Sequence, residues 1–150
     1  MAPPSALDAH LGFWLRAVSN AVSGAFADGL AVRGVSVAEW VALRILWDQD
    51  RMPPSRLAQA IGMTRGGVTK LADKMIAKGL LEREARADDG RGQALVLTAA
   101  GRALTPKLAA LADANDAAFF DALAPADRET LKRVLRQVVE QSRLSPIPLH

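Results

Sequence analysis

Between Pro54 and Gly79 the chain reads PSRLAQAIGMTRGGVTKLADKMIAKG, and the residues there that can do chemistry are cations and hydroxyls set among small side chains. Arg56, Arg65, Lys70 and Lys74 carry positive charge, Thr64 and Thr69 carry hydroxyls, and Gly66 and Gly67 keep the surface between them low. From Arg51 to Lys78, six basic residues (Arg51, Arg56, Arg65, Lys70, Lys74 and Lys78) stand against one acid, Asp73. The whole chain is only +3, so the remainder is net negative. A positive field gathered on one segment and absent elsewhere suits phosphate binding, whereas a merely solvated lysine face is spread more evenly. The chemistry expected is recognition of a polyanion by charge and hydrogen bonds.

Two helices must position those groups. Pro54 suits a first helical position, where a missing N–H costs nothing, and Leu57, Ala58 and Ile61 place an apolar stripe on the helix that follows. Gly62 stops that helix and Thr64 caps the next through its hydroxyl. Val68, Leu71, Ala72, Met75 and Ile76 then recur with the spacing of one buried face, closed by Gly79. The basic and hydroxylated residues share the opposite face, which is the pattern of a helix-turn-helix. Two short amphipathic helices of a bundle have the same periodicity, and a basic face can also dock a protein, so a protein-interaction module is the competing class.

Upstream, Leu11, Trp14, Leu15, Val18, Ala21, Val22, Ala25 and Phe26 recur at helical spacing. They predict a long helix starting at Ser5 or Asp8 and stopping at Gly34, with Gly12, Gly24 and Gly29 weakening it so that neighbours must stabilise it. Ser36 and Glu39 form a capping box for a second helix that reaches Trp47. Trp40, Leu43, Leu46 and Trp47 line one side of it and Val37, Val41 and Ile45 another, so it should be sandwiched between layers. Arg44 falls among these apolar positions and needs a partner: an internal carboxylate, solvent reached by snorkelling, or the carboxylate of a ligand.

Downstream of Gly79 the period changes to two. Leu81, Arg83 and Ala85 alternate with Glu82, Glu84 and Arg86, and Leu95 and Leu97 alternate with Ala94 and Val96 across the loop ADDGRGQ, which predicts a β-hairpin. Directly after a helix-turn-helix such a hairpin is a wing. Arg91 in its loop is placed to reach a minor groove, and Asp89 to hold Arg91 in position. Thr98 caps a helix with Leu104, Leu108, Leu111, Ala114, Ala118 and Phe119 on one face and Pro106 as an expected kink. Pro125 opens a last helix, striped by Leu131, Val134, Leu135, Val138 and Val139, behind the poor cap Ala124. The tail SPIPLH should be extended.

Composition bounds the rest. At 150 residues and 50% hydrophobic content, the chain has ample material for a core in one domain or two small lobes. Cysteine is absent, which removes disulfides, thiolate metal sites and thiol redox sensing and fits a reducing cytoplasm. With only His10 and His150, no histidine-rich metal site is expected, nor any cofactor. No G-x-S-x-G, P-loop or Ser/His/Asp constellation points to an enzyme. No apolar run approaches a membrane span, and MAPPSALDAH lacks the basic and apolar regions of a signal peptide, so a cytoplasmic protein is expected.

The order helix, helix, helix-turn-helix, wing, two helices resembles the MarR family of winged-helix transcriptional regulators over about residues 11–139. The resemblance rests on SRLAQAIGMTRGGVTKLADKMIAKGLLEREA followed by DDGRGQALVLTAAG, in which Asp89, Gly90 and Arg91 match the family's D-x-R wing motif and LTAAG its L-T-x-x-G exit. It implies a mainly α fold with a small β-hairpin wing (α+β), with residues 36–98 as the winged helix-turn-helix and residues 5–34 and 99–142 as dimerisation helices. It also implies a homodimer bound to a pseudo-palindromic duplex, contacted through Arg56, Thr64, Arg65, Gly66, Gly67, Thr69, Lys70, Lys74, Asp89 and Arg91. A small aromatic anionic effector would lie between the lobes, for which Trp14, Trp40 and Arg44 are the candidate residues. Gly66 and Gly67 depart from the family by leaving fewer base-reading side chains on the recognition helix.

Overall fold

Residues 1–85 and 92–145 are described by a computed structural model. A 3-10 turn at Leu7–Ala9 precedes α1 (Leu11–Ala31); α2 (Val37–Trp47), α3 (Pro54–Ile61), α4 (Arg65–Ala77), β1 (Leu81–Ala85), β2 (Gln93–Leu97), α5 (Ala99–Phe120) and α6 (Pro125–Gln141) follow. The α+β architecture is the expected one. One boundary moves: the first long helix starts at Leu11, because the backbone of His10 is extended and separates it from the short turn that holds Asp8.

Local chemistry sets the other ends. The Ser36–Glu39 capping box is complete, with Glu39 N donating to Ser36 Oγ at 3.1 Å and Ser36 N donating to Glu39 Oε1 at 2.9 Å. Thr64 and Thr98 cap α4 and α5 by accepting from Gly67 N at 3.0 Å and Gly101 N at 3.1 Å. Gly62 and Gly79, with φ of +72° and +73°, end α3 and α4 in the left-handed conformation that a side chain would disfavour. Ala124 offers no side-chain cap to α6. Helix α5 runs unbroken through Pro106, and one residue earlier the buried Thr105 turns its hydroxyl back onto the Gly101 carbonyl at 2.8 Å.

The core lies in the middle of the chain. Leu43 and Leu46 of α2, Leu57 and Ile61 of α3, Val68 and Met75 of α4, Leu81 and Leu95 of the hairpin, and Leu30 and Leu108 of the long helices are all fully buried together. Helix α2 is sandwiched as its two apolar lines require, with α5 on one side and the α3–α4 pair and β2 on others. The hairpin pairs Leu81 with Leu97 and Ala85 with Gln93. Met52, from the α2–α3 connection, adds an edge to it through two hydrogen bonds with Leu95, at 3.0 and 2.7 Å. Among the described residues no helix is long and apolar enough to cross a membrane.

Helix α1 lies on α5, where Leu111 packs over the Cα of Gly29 and Asn115 Nδ2 donates to the Val22 carbonyl at 3.1 Å. The rest of α1 and all of α6 are different. Leu11, Trp14, Leu15 and Val18 on α1 and Leu131, Val134, Leu135 and Val138 on α6 are exposed, and α6 buries no residue at all.

Candidate nucleic-acid interface

Helix α4 rests on α3 through its apolar stripe, with Val68, Leu71, Ala72 and Met75 buried. That burial turns Arg65, Gly66, Thr69, Lys70 and Lys74 to the outside, and Arg56 is exposed on α3. The groups expected to read a ligand are therefore all accessible, along the side of α4 away from its buried stripe and on α3.

Salt bridges sort the cations into two classes. Arg51 pairs with Glu84 at 3.1 Å, Lys78 with Glu39 at 2.8 Å and Arg83 with Asp73 at 2.7 Å. Arg56, Arg65, Lys70 and Lys74 make no ion pair among the described residues. Two of the six cations counted in the segment's charge, Arg51 and Lys78, are thus paired with carboxylates of the protein, and neither is among the residues expected on the reading face. Asp73 is the only acid of α4, and Arg83 from β1 neutralises it, so nothing on the helix opposes the positive end presented by Arg65, Lys70 and Lys74.

The hydroxyls are constrained. Thr64 Oγ1 is committed as an acceptor to the Gly67 amide, so its first role is to shape the helix start. Thr69 Oγ1 donates to the Arg65 carbonyl at 2.9 Å, which commits its proton and leaves the lone pairs of this exposed side chain to accept. Such a threonine can accept from an adenine or cytosine amino group or touch a thymine methyl, but it has no proton to offer a guanine. Nothing lies within 4 Å of a Cβ built on Gly66. A Cβ on Gly67 would press on the flexible end of Met63 at 3.0 Å and on the capping Thr64 hydroxyl at 3.2 Å. Asp89 and Arg91 lie outside the described residues; the strands that flank them are in register as expected.

Trp14, Trp40 and Arg44 are not joined to one another by any hydrogen bond or ring contact among the described residues. Trp40 is half-buried edge-on to Phe26, with ring centroids 6.1 Å apart. Trp14 is 54% exposed, stacks edge-on with Phe13 and donates its indole N–H to the Asp8 carbonyl at 2.8 Å. Arg44 is on the exposed side of α2 and pairs with Asp48 one turn on, at 2.8 Å. Its position among apolar residues in the sequence therefore does not translate into burial, and the internal carboxylate is the partner found. A depression of about 270 Å³ lies elsewhere, on α6 between Glu129, Lys132, Arg133 and Arg136.

The sequence profile of the MarR family matches residues 35–92, the segment from the start of α2 to the end of the hairpin loop. An HTH-type transcriptional repressor of Mycobacterium tuberculosis is 28% identical over 131 residues, covering 87% of this chain and 94% of that protein. The crystal structure of a MarR family transcriptional regulator from Silicibacter pomeroyi superposes with a TM-score of 0.72 at 34% identity, over 91% of this chain and 98% of that one. CouR from Rhodococcus jostii, solved bound to p-coumaroyl-CoA, shares the fold with a TM-score of 0.76 at 24% identity, over 90% and 95% of the two chains. With its helix-turn-helix, its wing strands and the 34% identity to the Silicibacter pomeroyi regulator over 91% of its length, the chain belongs to the MarR family of transcriptional regulators.

Proposed function

We propose that the protein is a homodimeric repressor that binds a pseudo-palindromic DNA duplex through Arg56, Thr64, Arg65, Gly66, Gly67, Thr69, Lys70 and Lys74, with Arg91 of the wing reaching the flanking minor groove and Asp89 holding it in position. The observation that carries this reading is the sorting of charges: among the described residues Arg56, Arg65, Lys70 and Lys74 make no ion pair, while Arg51, Lys78 and Arg83 each have a carboxylate partner. A duplex supplies the missing anions. Lys70, Lys74 and Arg56 contact phosphate, and Arg65 and Thr69, at the start of the helix, read base edges in the major groove. Residues 5–34 and 99–142 form the dimer lobe, and residues 36–98 form the reading lobe.

Selection of bound sequences from a random duplex pool tests the proposal. The expected product is a two-fold related motif with half-sites about 10 bp apart, bound with strong salt dependence. Failure to enrich any sequence, with capture of a protein partner by the same basic face, would replace it with the interaction-module reading.

An aromatic anion is the effector class we propose, supported by the p-coumaroyl-CoA bound to CouR. In this chain it would use Trp14, Trp40 and Arg44, and Arg44 would have to leave Asp48. Such a ligand acts only through its preference for one arrangement of the two reading heads, and about 1.4 kcal/mol of preference changes DNA affinity tenfold. Titration of aromatic carboxylates, followed by tryptophan fluorescence and operator binding together, tests this. An unaltered response in Trp40→Phe and Arg44→Ala removes these residues from the site.

A further inference from the structure

Lys78 belongs by sequence to the basic segment, yet its ammonium group, on a side chain that is 40% exposed, is bonded to other parts of the protein. Its Nζ donates to both carboxylate oxygens of Glu39, at 2.9 and 2.8 Å, and to the Gly34 carbonyl at 2.7 Å. The side chain of Glu39 is 4% exposed and also accepts from the Ser36 amide, so the carboxylate is held from α2 as well as from α4. The backbone at both ends of the link is held by hydrogen bonds. Lys78 is the C-cap of α4, fixed by the left-handed turn at Gly79 and by the Leu80 amide donating to the Met75 carbonyl at 2.9 Å. Gly34 closes α1 in the same manner, with the Val35 amide donating to the Leu30 carbonyl at 3.1 Å and Leu30 fully buried.

We infer that Lys78 is a positioning residue: through Glu39 and the Gly34 carbonyl it fixes the angle between the recognition helix α4 and α1, and so sets the half-site spacing that a dimer accepts. The inference rests on the proposed reading of α1 as part of the dimer lobe and α4 as the DNA reader. In a two-headed reader, each head's contacts with its own half-site are local, but the relation between the heads depends on every joint between α4 and the dimer lobe. Lys78 is a polar joint between the C-terminal end of α4 and both α2 and the turn that follows α1, and its ammonium is engaged there by Glu39 and the Gly34 carbonyl.

Removing Lys78 alone would strand a buried carboxylate, so the informative variant is the double substitution Glu39→Gln, Lys78→Met, in which both charges go and the glutamine can still accept from Ser36. The measurement is affinity for duplexes carrying one half-site, for the selected full site, and for full sites with the half-sites one base pair closer or farther apart, each over a range of salt. The expected result is unchanged half-site affinity and salt slope, about tenfold weaker binding of the full site, and a flattened dependence on spacing.

Glu39→Gln alone keeps the bond from Lys78 to Gly34 and should retain the wild-type spacing profile. Loss of half-site and full-site affinity together, with the salt slope lower by about 1, would make Lys78 a phosphate contact and overturn the inference. So would an unchanged spacing profile in a folded double variant, or a profile flattened as far by Glu39→Gln alone. Wild-type protein that binds no duplex would overturn the DNA reading itself, an outcome distinct from any of these.

Discussion

The carbonyl oxygen of Leu80 occupies the space in which a Cβ on Gly101 would stand. The same carbonyl accepts from the Thr98 amide at 3.1 Å, and the Thr98 hydroxyl donates to the Gly79 carbonyl at 2.6 Å while capping α5 through the Gly101 amide. The end of the recognition helix, the exit from the wing and the start of α5 are thereby locked at one point. The L-T-x-x-G sequence at Leu97 to Gly101 has this physical content: a threonine that caps and ties, and a glycine that admits a backbone.

Gly101→Ala is therefore expected to be destabilising by about 1–3 kcal/mol, because the obstructing atom is backbone and cannot rotate away. Denaturant unfolding of the variant against wild type measures it. An unchanged midpoint would mean that α5 shifts at no cost and that the junction is loose.

Gly66 is the opposite case. Its missing side chain relieves no clash within the protein, so Gly66→Ala should raise stability by up to about 1 kcal/mol through helix propensity. Glycine at a position where alanine is sterically free suggests close approach by the duplex, and the same variant should bind the operator more weakly. A melt and a binding isotherm on one sample decide the matter; equal or tighter DNA binding would remove Gly66 from the interface.

Much of this was legible in the sequence, because the signals were local. Pro54, Gly62, Thr64, Gly79 and Thr98 each do what a single residue at a helix end can do, and the change from helical to alternating period at Leu81 marks the strand. What escaped depends on distant partners or on which side of a helix faces in. Lys78 and Glu39 are 39 residues apart and look like two surface charges until α2 and α4 meet. Arg44 could not be oriented because α2 is apolar on more than one side, and only assembly with α5 and the α3–α4 pair shows which side stays open. The Met52–Leu95 bridge involves one residue per edge and so has no periodicity to detect.

The proposed DNA-binding surface calls for two kinds of contact, one to phosphate and one to base edges. Lys74→Ala should weaken binding to all sequences alike and lower the salt slope by about 1, as expected for one lost phosphate contact. Arg65→Ala, at the first turn of α4, should in addition relax preference at one or two base pairs. Binding profiles over a mutated operator library separate them, and identical profiles with unchanged slopes in both variants would defeat the assignment.

Glu39 gives the pH dependence a sign. Burial pushes its carboxyl up, but the hydrogen bonds from Lys78 and Ser36 and the Lys78 charge outweigh burial and hold it below the usual carboxylate range. A carboxyl held lower in the folded state contributes stability that is fully present above its unfolded value and is lost as pH falls through the lowered folded value. Thermal melts of wild type and Glu39→Gln should differ most at neutral pH and converge below about pH 4. A gap between the two that is constant down to the acid limit would show that the carboxylate contributes nothing through its charge.

The exposed stripes on α1 and α6 make the sharpest demand. Leu131, Val134, Leu135 and Val138 recur on one side of α6, a helix that buries nothing in the single chain, and Leu11, Trp14, Leu15 and Val18 do the same on α1. Isolated exposed apolar residues need no explanation, but two continuous stripes on α1 and α6 do, and the symmetric partner we propose would cover both with one interface. Sedimentation at micromolar concentration should give a species of twice the 16.0 kDa chain mass. Leu135→Glu places a charge in the middle of the α6 stripe, outside the core that holds α2 to α5, so it should yield a monomer in which α1 to α5 remain folded. Each head would then bind alone, and full-site affinity should fall by about a hundredfold or more, because the second head loses its effective concentration. A wild-type chain that sediments as a folded monomer, or a Leu135→Glu protein that remains dimeric and binds normally, would refute this interface.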